Sequence, residues 1–317
     1  MATLGAYFSI AAIILVGAYL YRPQNGAVGS FPIVLSILLL IPLYVWYRDY
    51  RKKTELSKEI KTRKESIVLC AIFSLFILAL SVRVPSVLLF NAPYEKTPVI
   101  LLTVLTIVIV EKTDLSAFGF TIKKFGTALF YGLAFFVLLN ALTLAITYSL
   151  IFMLTNQMAF QSYNYVPFLL AMPFMTFCVG ISEEGLFRGY MQTHLGKICT
   201  PRKAILIQAL LFGFWHFVWD LSPFNPVRMS LYIATTFLVG LLFGYFYHKT
   251  RSLTPLVFAH GLWDSVPQGI IDNPSALNVL RTIHPMSEML VFYMPYLLTA
   301  ILTFFSLKYF VKKINNT

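Results

Sequence analysis

Ten apolar runs, most of them about as long as a bilayer's hydrocarbon layer is thick, leave this chain few folds to choose from. They lie near residues 6–21, 31–47, 67–90, 97–110, 127–153, 167–195, 204–219, 229–247, 252–266 and 287–311. A helix needs about 20 predominantly apolar residues to cross the ~30 Å layer. Only helices and closed barrels satisfy their backbone polar groups there. With 58% hydrophobic and 12% charged residues over 317 positions, the pattern predicts an all-α polytopic membrane protein of about ten transmembrane helices and excludes a water-soluble domain. The first run lacks the basic leader and small-residue cleavage site of a signal peptide, so it reads as a first transmembrane helix.

The net charge of +12 has a topological origin, and no nucleic-acid partner is implied. Basic residues concentrate in alternate connections: Arg48 to Lys64, then Lys112, Lys123 and Lys124, then Lys197, Arg202 and Lys203, then Lys249 and Arg251, then Lys308, Lys312 and Lys313. The opposite connections hold only Arg22, Lys96, Arg228 and Arg281. By the positive-inside rule both termini are cytoplasmic. Residues 1–66 read as a two-helix hairpin with a solvated basic linker, and residues 67–317 as a block of eight helices. The stretch Glu111 to Gly126 reads as a short amphipathic interfacial helix. Cys70, Cys178 and Cys199 show neither metal-ligand spacing nor a disulfide framework.

Ionisable side chains inside hydrocarbon are expensive and mark functional sites by default. Three runs carry them: Ser182-Glu183-Glu184-Gly185-Leu186-Phe187-Arg188, Phe212-Gly213-Phe214-Trp215-His216 and His260-Gly261-Leu262-Trp263-Asp264. Counted from the basic ends of their runs at ~1.5 Å per residue, Glu183, His216 and His260 lie roughly 18, 20 and 14 Å deep. The matched depths carry the sixth helix through the motif to about His194. Glu184 and Arg188 are spaced i,i+4, the favourable order for a helical ion pair. His260 and Asp264 share that spacing, so the carboxylate can fix the imidazole's tautomer. Glu183 points about 100° away from Glu184, which leaves it free for chemistry, while Glu184 and Arg188 brace the helix. Gly185 and Gly189 would admit a neighbouring helix closely. Arg83, near Pro85, snorkels or marks the end of its helix. His194, His248 and His284 fall at span ends or in a loop and read as interfacial.

A carboxylate and a histidine converging on one water make a general-base pair for hydrolysis, and a further histidine can donate to an oxyanion. The same groups suit zinc, although no His-Glu-x-x-His lies on one helix. A transporter would use such residues as an ion relay, with paired repeats and broken helices; neither stands out in the sequence.

Glu183-Glu184-x-x-x-Arg188, Phe212-x-x-x-His216 and His260-x-x-x-Asp264, in order and in separate runs, resemble the three-motif signature of the CPBP family. These are the CAAX prenyl proteases and bacteriocin-processing enzymes, also called Rce1-like or Abi proteins. The resemblance covers about residues 67–317, with the first two helices an addition to the family's eight-helix core. It implies a glutamate-type intramembrane endopeptidase acting on a hydrophobic or membrane-anchored peptide or protein, prenylated or not, with no cofactor and no metal. Glu183 and His216 would activate water, His260 and Asp264 would stabilise the oxyanion, and Glu184 and Arg188 would support them. Prenyl-protein proteases of the family typically carry Asn where this chain has Asp264, and an ionised Asp264 would repel an oxyanion. A catalytically silent relative acting as a membrane scaffold or regulator, as in bacteriocin self-immunity, is the alternative.

Overall fold

A computed structural model describes residues 1–21, 30–122, 124–159, 165–266, 274–284 and 286–315. Arg22 and Lys123, used above in reading topology, lie outside the described residues. In chain order the helices are α1 (Ala2–Leu20), α2 (Ser30–Lys53), α3 (Glu65–Phe90), α4 (Lys96–Val110), α5 (Phe125–Thr155), α6 (Val166–Ile198), α7 (Pro201–Phe214), α8 (Pro226–Thr250), α9 (Thr254–Ser265), α10 (Pro274–Ile283) and α11 (Ser287–Asn315). Among the described residues seven are long and apolar enough to cross a membrane: α1, α2, α3, α5, α6, α8 and α11. The chain is an integral multi-pass membrane protein.

The other three of the ten expected runs form shorter apolar helices. α7 and α9 have 14 and 12 residues, or about 21 and 18 Å at ~1.5 Å per residue. α4 is likewise shorter than the seven. α7 starts sharply, with Thr200 capping and Pro201 in the first turn, and stops at Phe214. Trp215 and His216 then turn the chain into a single 3₁₀ turn, Phe217–Asp220. The seventh run is therefore a broken helix, and His216 sits at the break.

α6 runs through the Glu-Glu motif to Ile198, slightly past the expected end near His194. It widens into π-helical turns at Met175–Gly180 and Glu184–Gln192, a distortion that concentrates at functional sites. α9 lies directly on α6. A Cβ on Gly180 would fall 2.5 Å from the Val257 carbonyl oxygen, and one on Gly261 would fall 2.6 Å from the Thr176 nitrogen. Only glycine allows the two backbones this approach, and the approach brings His260 against Glu183 and Glu184.

Two local expectations fail. Residues 111–126 do not form an amphipathic helix: Asp114 caps one 3₁₀ turn, Leu115–Phe118, and Gly119 ends it at φ +85°. Phe118 is buried against Tyr190, so the segment is an inward-packed loop. That loop occupies the space expected for a helix beside Gly185 and Gly189: a Cβ on Gly185 would meet Phe120 at 2.6 Å, and one on Gly189 the Phe118 carbonyl oxygen at 3.2 Å. The connection before the last span also holds a helix, α10, whose Ala276 and Leu280 pack with Ile151 and Val291.

α1 and α2 dock on the later helices. The Tyr7 hydroxyl donates to the Leu78 carbonyl (2.6 Å) and the Thr97 hydroxyl to the Ser36 carbonyl (2.8 Å). The basic linker is exposed along most of its length. Its start is pinned by Ser57, which exchanges backbone bonds with Lys112 and Asp114 (3.0 and 2.8 Å), and by Arg51, whose Nε lies 2.7 Å from Asp114 Oδ2.

Candidate active site

The three motif runs converge. Glu183, 2% exposed, projects from α6 between the α7 break and α9. Its Oε2 lies 3.9 Å from His216 Nε2 and 3.5 Å from His260 Nε2, and no protein hydrogen bond reaches it among the described residues. Its Oε1 is held by two donors, the Lys96 ammonium and the Trp215 indole Nε1 (2.8 Å). The two oxygens of one carboxylate thus face different surroundings: an ammonium and a neutral indole N–H on one side, two imidazoles on the other.

Each imidazole is fixed at its far nitrogen. His216 Nδ1 lies 2.8 Å from the Phe212 carbonyl oxygen, which can only accept, so Nδ1 carries the proton and Nε2 presents a lone pair in the neutral ring. His260 Nδ1 donates to Glu184 Oε1 at 2.6 Å. Asp264 Oδ2 stands 3.4 Å from His260 Nε2, and its side chain is about one-third exposed (32%). The expected i,i+4 contact between Asp264 and His260 forms, and Glu184 adds a shorter bond to the other ring nitrogen from full burial.

The expected Glu184–Arg188 pair forms, at 3.0 Å. The assignment of Glu184 to Arg188 alone was too narrow, since Glu184 also holds His260. Nε and Nη2 of Arg188 find no hydrogen-bond acceptor among the described residues. Its guanidinium lies 4.0 Å from the Phe212 ring centroid and 5.4 Å from that of Phe243, so cation–π attraction takes the place of further bonds. Phe212 meets His216 and His260 edge-on as well, which packs Arg188 and both histidines around one ring.

Two cations of the cluster, Arg83 and Lys96, depart from their sequence-based readings. Arg83 neither snorkels nor ends α3. It is buried, donates from Nε to the Trp215 carbonyl (3.0 Å), pairs with Glu95 and covers the Trp215 ring at 4.3 Å. Lys96 is no loop cation, for it is 1% exposed and bridges Glu95 (2.8 Å) and Glu183. Glu95 is completely buried between them. His194 is also not interfacial: it is buried, with Nε2 3.1 Å from Glu111 Oε2, whose other oxygen accepts from the Tyr190 hydroxyl (2.9 Å). The signal for Lys96 was the length of the fourth run, the shortest of the ten.

Residues 165–266 match the family model for type II CAAX prenyl endopeptidase Rce1-like proteins. The match spans about a third of the 317 residues and contains Glu183, Glu184, Arg188, His216, His260 and Asp264. Arg83, Glu95 and Lys96 lie outside the matched segment. No curated protein and no solved structure matches the chain.

Among the described residues no group of three or more His, Cys, Asp or Glu side chains is arranged to hold a metal ion. The cations beside Glu183 act in the same direction, because an ammonium and a guanidinium repel a divalent ion electrostatically.

Proposed function

We propose that the protein is an intramembrane endopeptidase that hydrolyses a peptide bond in a hydrophobic or membrane-anchored substrate with a water activated by Glu183 and His216. The observation that carries this reading is the split of Glu183: Oε1 is tied down, while Oε2 faces two imidazole Nε2 atoms at 3.5 and 3.9 Å. Separations of that order between polar atoms suit a bridging water. His216, with its proton held on Nδ1 by Phe212, offers Nε2 as an acceptor for that water. The water's proton passes to Glu183 Oε2 as its oxygen bonds to the scissile carbonyl carbon, and returns to the leaving nitrogen as the C–N bond breaks. His260, with a carboxylate on each side of the ring, donates from Nε2 to the oxyanion. Glu184 and Arg188 hold His260 in place.

The Rce1-like match supports a CAAX-type endopeptidase at family level, and a prenylated C-terminal peptide is the first substrate class to try. Both termini and the access route lie on the cytoplasmic side in this reading, by the distribution of basic residues. The burial of Lys96 removes one of the few cations counted on the opposite side and strengthens that asymmetry. An ion pathway fits less well. Broken helices in transporters turn free carbonyls towards the ion, whereas here the Phe212 and Trp215 carbonyls accept from His216 and Arg83.

The test is a comparison of membrane peptides from the native host with wild-type or Glu183→Ala protein. A precursor that stays uncleaved in the variant supports the enzyme and names its substrate. Identical peptide profiles would favour a silent scaffold.

A further inference from the structure

We propose that Lys96 is a positioning residue for the hydrolytic site: its ammonium, presented by a buried turn, fixes Glu183 as a carboxylate with Oε2 turned towards the histidines. The inference rests on the endopeptidase reading for its catalytic consequence, but the clamp itself is a separate claim.

The turn that presents Lys96 is built for rigidity. α3 ends at Asn91 in the left-handed region (φ 48°). The buried Ser86 hydroxyl donates to the Ala92 carbonyl (2.6 Å) and accepts from the Tyr94 amide (2.8 Å). These bonds tie the turn to the helix it has just left, and Glu95 and Lys96 follow at once as the start of α4.

Glu95 then sets the charge balance. It pairs with both Arg83 and Lys96, so two cations face two carboxylates, Glu95 and Glu183, and this half of the cluster is formally neutral. Neutrality lets a lysine stay almost fully buried without an uncompensated charge. A lone carboxyl as deeply buried as Glu183 would otherwise neutralise itself by taking up a proton. With Lys96 and Trp215 both donating to Oε1, rotation of the carboxylate is blocked, and Oε2 alone remains to act on water.

Dicyclohexylcarbodiimide tests the clamp without turnover, because it modifies protonated carboxyls in apolar surroundings and spares carboxylates. Full-length protein in lipid nanodiscs is treated at neutral pH, and Glu183 modification is read by mass spectrometry. Wild-type and Lys96→Arg protein should stay essentially unmodified, whereas Lys96→Met should be labelled at least about tenfold more, the factor that ~1.4 kcal/mol of lost ion pairing produces. Lys96→Gln keeps a donor and lacks the charge; it should label in the same way and replaces Lys96→Met should that variant not fold. Equal labelling of wild-type and both neutral variants would overturn the clamp.

Turnover supplies the second readout. Lys96→Met should lower kcat by about 100-fold, as misplacement of a reacting group does, with KM within twofold and partial recovery in Lys96→Arg. Full kcat in a labelled Lys96→Met protein would overturn the positioning role while leaving the endopeptidase intact. If wild-type protein cleaves nothing while labelling follows expectation, the endopeptidase reading falls and with it the positioning role; the clamp stands.

Discussion

His216 donates from Nδ1 to the Phe212 carbonyl four residues back, at 2.8 Å, and this one bond decides which face of the imidazole can do chemistry. The carbonyl is available because α7 stops two residues beyond Phe212. A helix continued through the motif would have bonded that oxygen to the His216 amide and left the ring to find another partner. Breaking the helix at membrane depth thus orients the histidine, and the same break exposes the Trp215 carbonyl to Arg83 and aims the indole at Glu183.

The brace around His260 should be the most stability-sensitive part of the site. Arg188→Ala leaves the buried Glu184 carboxylate without its guanidinium, which costs about 3–5 kcal/mol in such settings. Thermal unfolding in detergent should fall accordingly. The double variant Glu184→Gln/Arg188→Met, which removes both charges and roughly keeps their volume, should recover much of the loss.

Asp264→Asn should be tolerated. His260 is already oriented by Glu184, and Asp264 is partly exposed, so its contribution is of the order of a partly exposed ion pair, ~1 kcal/mol or about fivefold in turnover. Cleavage rates of the variant check this, and a loss beyond tenfold would return the orienting role to Asp264.

Chelation should leave cleavage unchanged. Treatment with EDTA or phenanthroline followed by an activity assay checks this, and loss of activity restored by zinc would contradict it. The expectation comes from the donor set: Lys96 and Trp215 occupy one oxygen of Glu183, and a bound dication would stand beside two protein cations.

Outside the spans, Asp114 links the linker to the core and should give stability a mild acid dependence. Burial pushes its carboxyl up, but the Ser116 hydroxyl and amide and the Arg51 guanidinium outweigh it, so the group sits below its ordinary value. A lowered folded-state value means stability that is present above the unfolded value, ~3.9, and is lost as pH falls through the folded one. Melting temperatures between pH 7 and pH 3 should decline at the acid end in wild-type protein and decline less in Asp114→Asn.

The sequence made the acid–histidine half of the site legible because polar residues in apolar runs have few innocent explanations. Matched depths placed Glu183, His216 and His260 together, and i,i+4 spacing paired Glu184 with Arg188. The cationic half was hidden for the opposite reason. Glu95 and Lys96 adjoin a short gap between two runs, where charges are ordinary, and only the shortness of α4 marks them as buried. The angular argument that split the two glutamates held for their directions but missed that one imidazole, with its two nitrogens, can serve both. Residues 111–126 misled because Phe118 and Phe120, spaced like the apolar face of an interfacial helix, in fact reach inward to Tyr190 and the α6 glycines.

The most direct test of the account is cleavage by purified, reconstituted protein of a panel of prenylated and unprenylated peptides, comparing wild-type with Glu183→Gln and His216→Ala. Glu183→Gln leaves Lys96 paired with Glu95 but takes one carboxylate from the neutral cluster, so its melting temperature should fall, and turnover is compared at a temperature where both proteins are folded. The account predicts peptide hydrolysis by wild-type protein and a fall of about 10²–10⁴-fold in kcat for each folded variant, the range that general acid–base groups supply. Undiminished turnover in Glu183→Gln would contradict it.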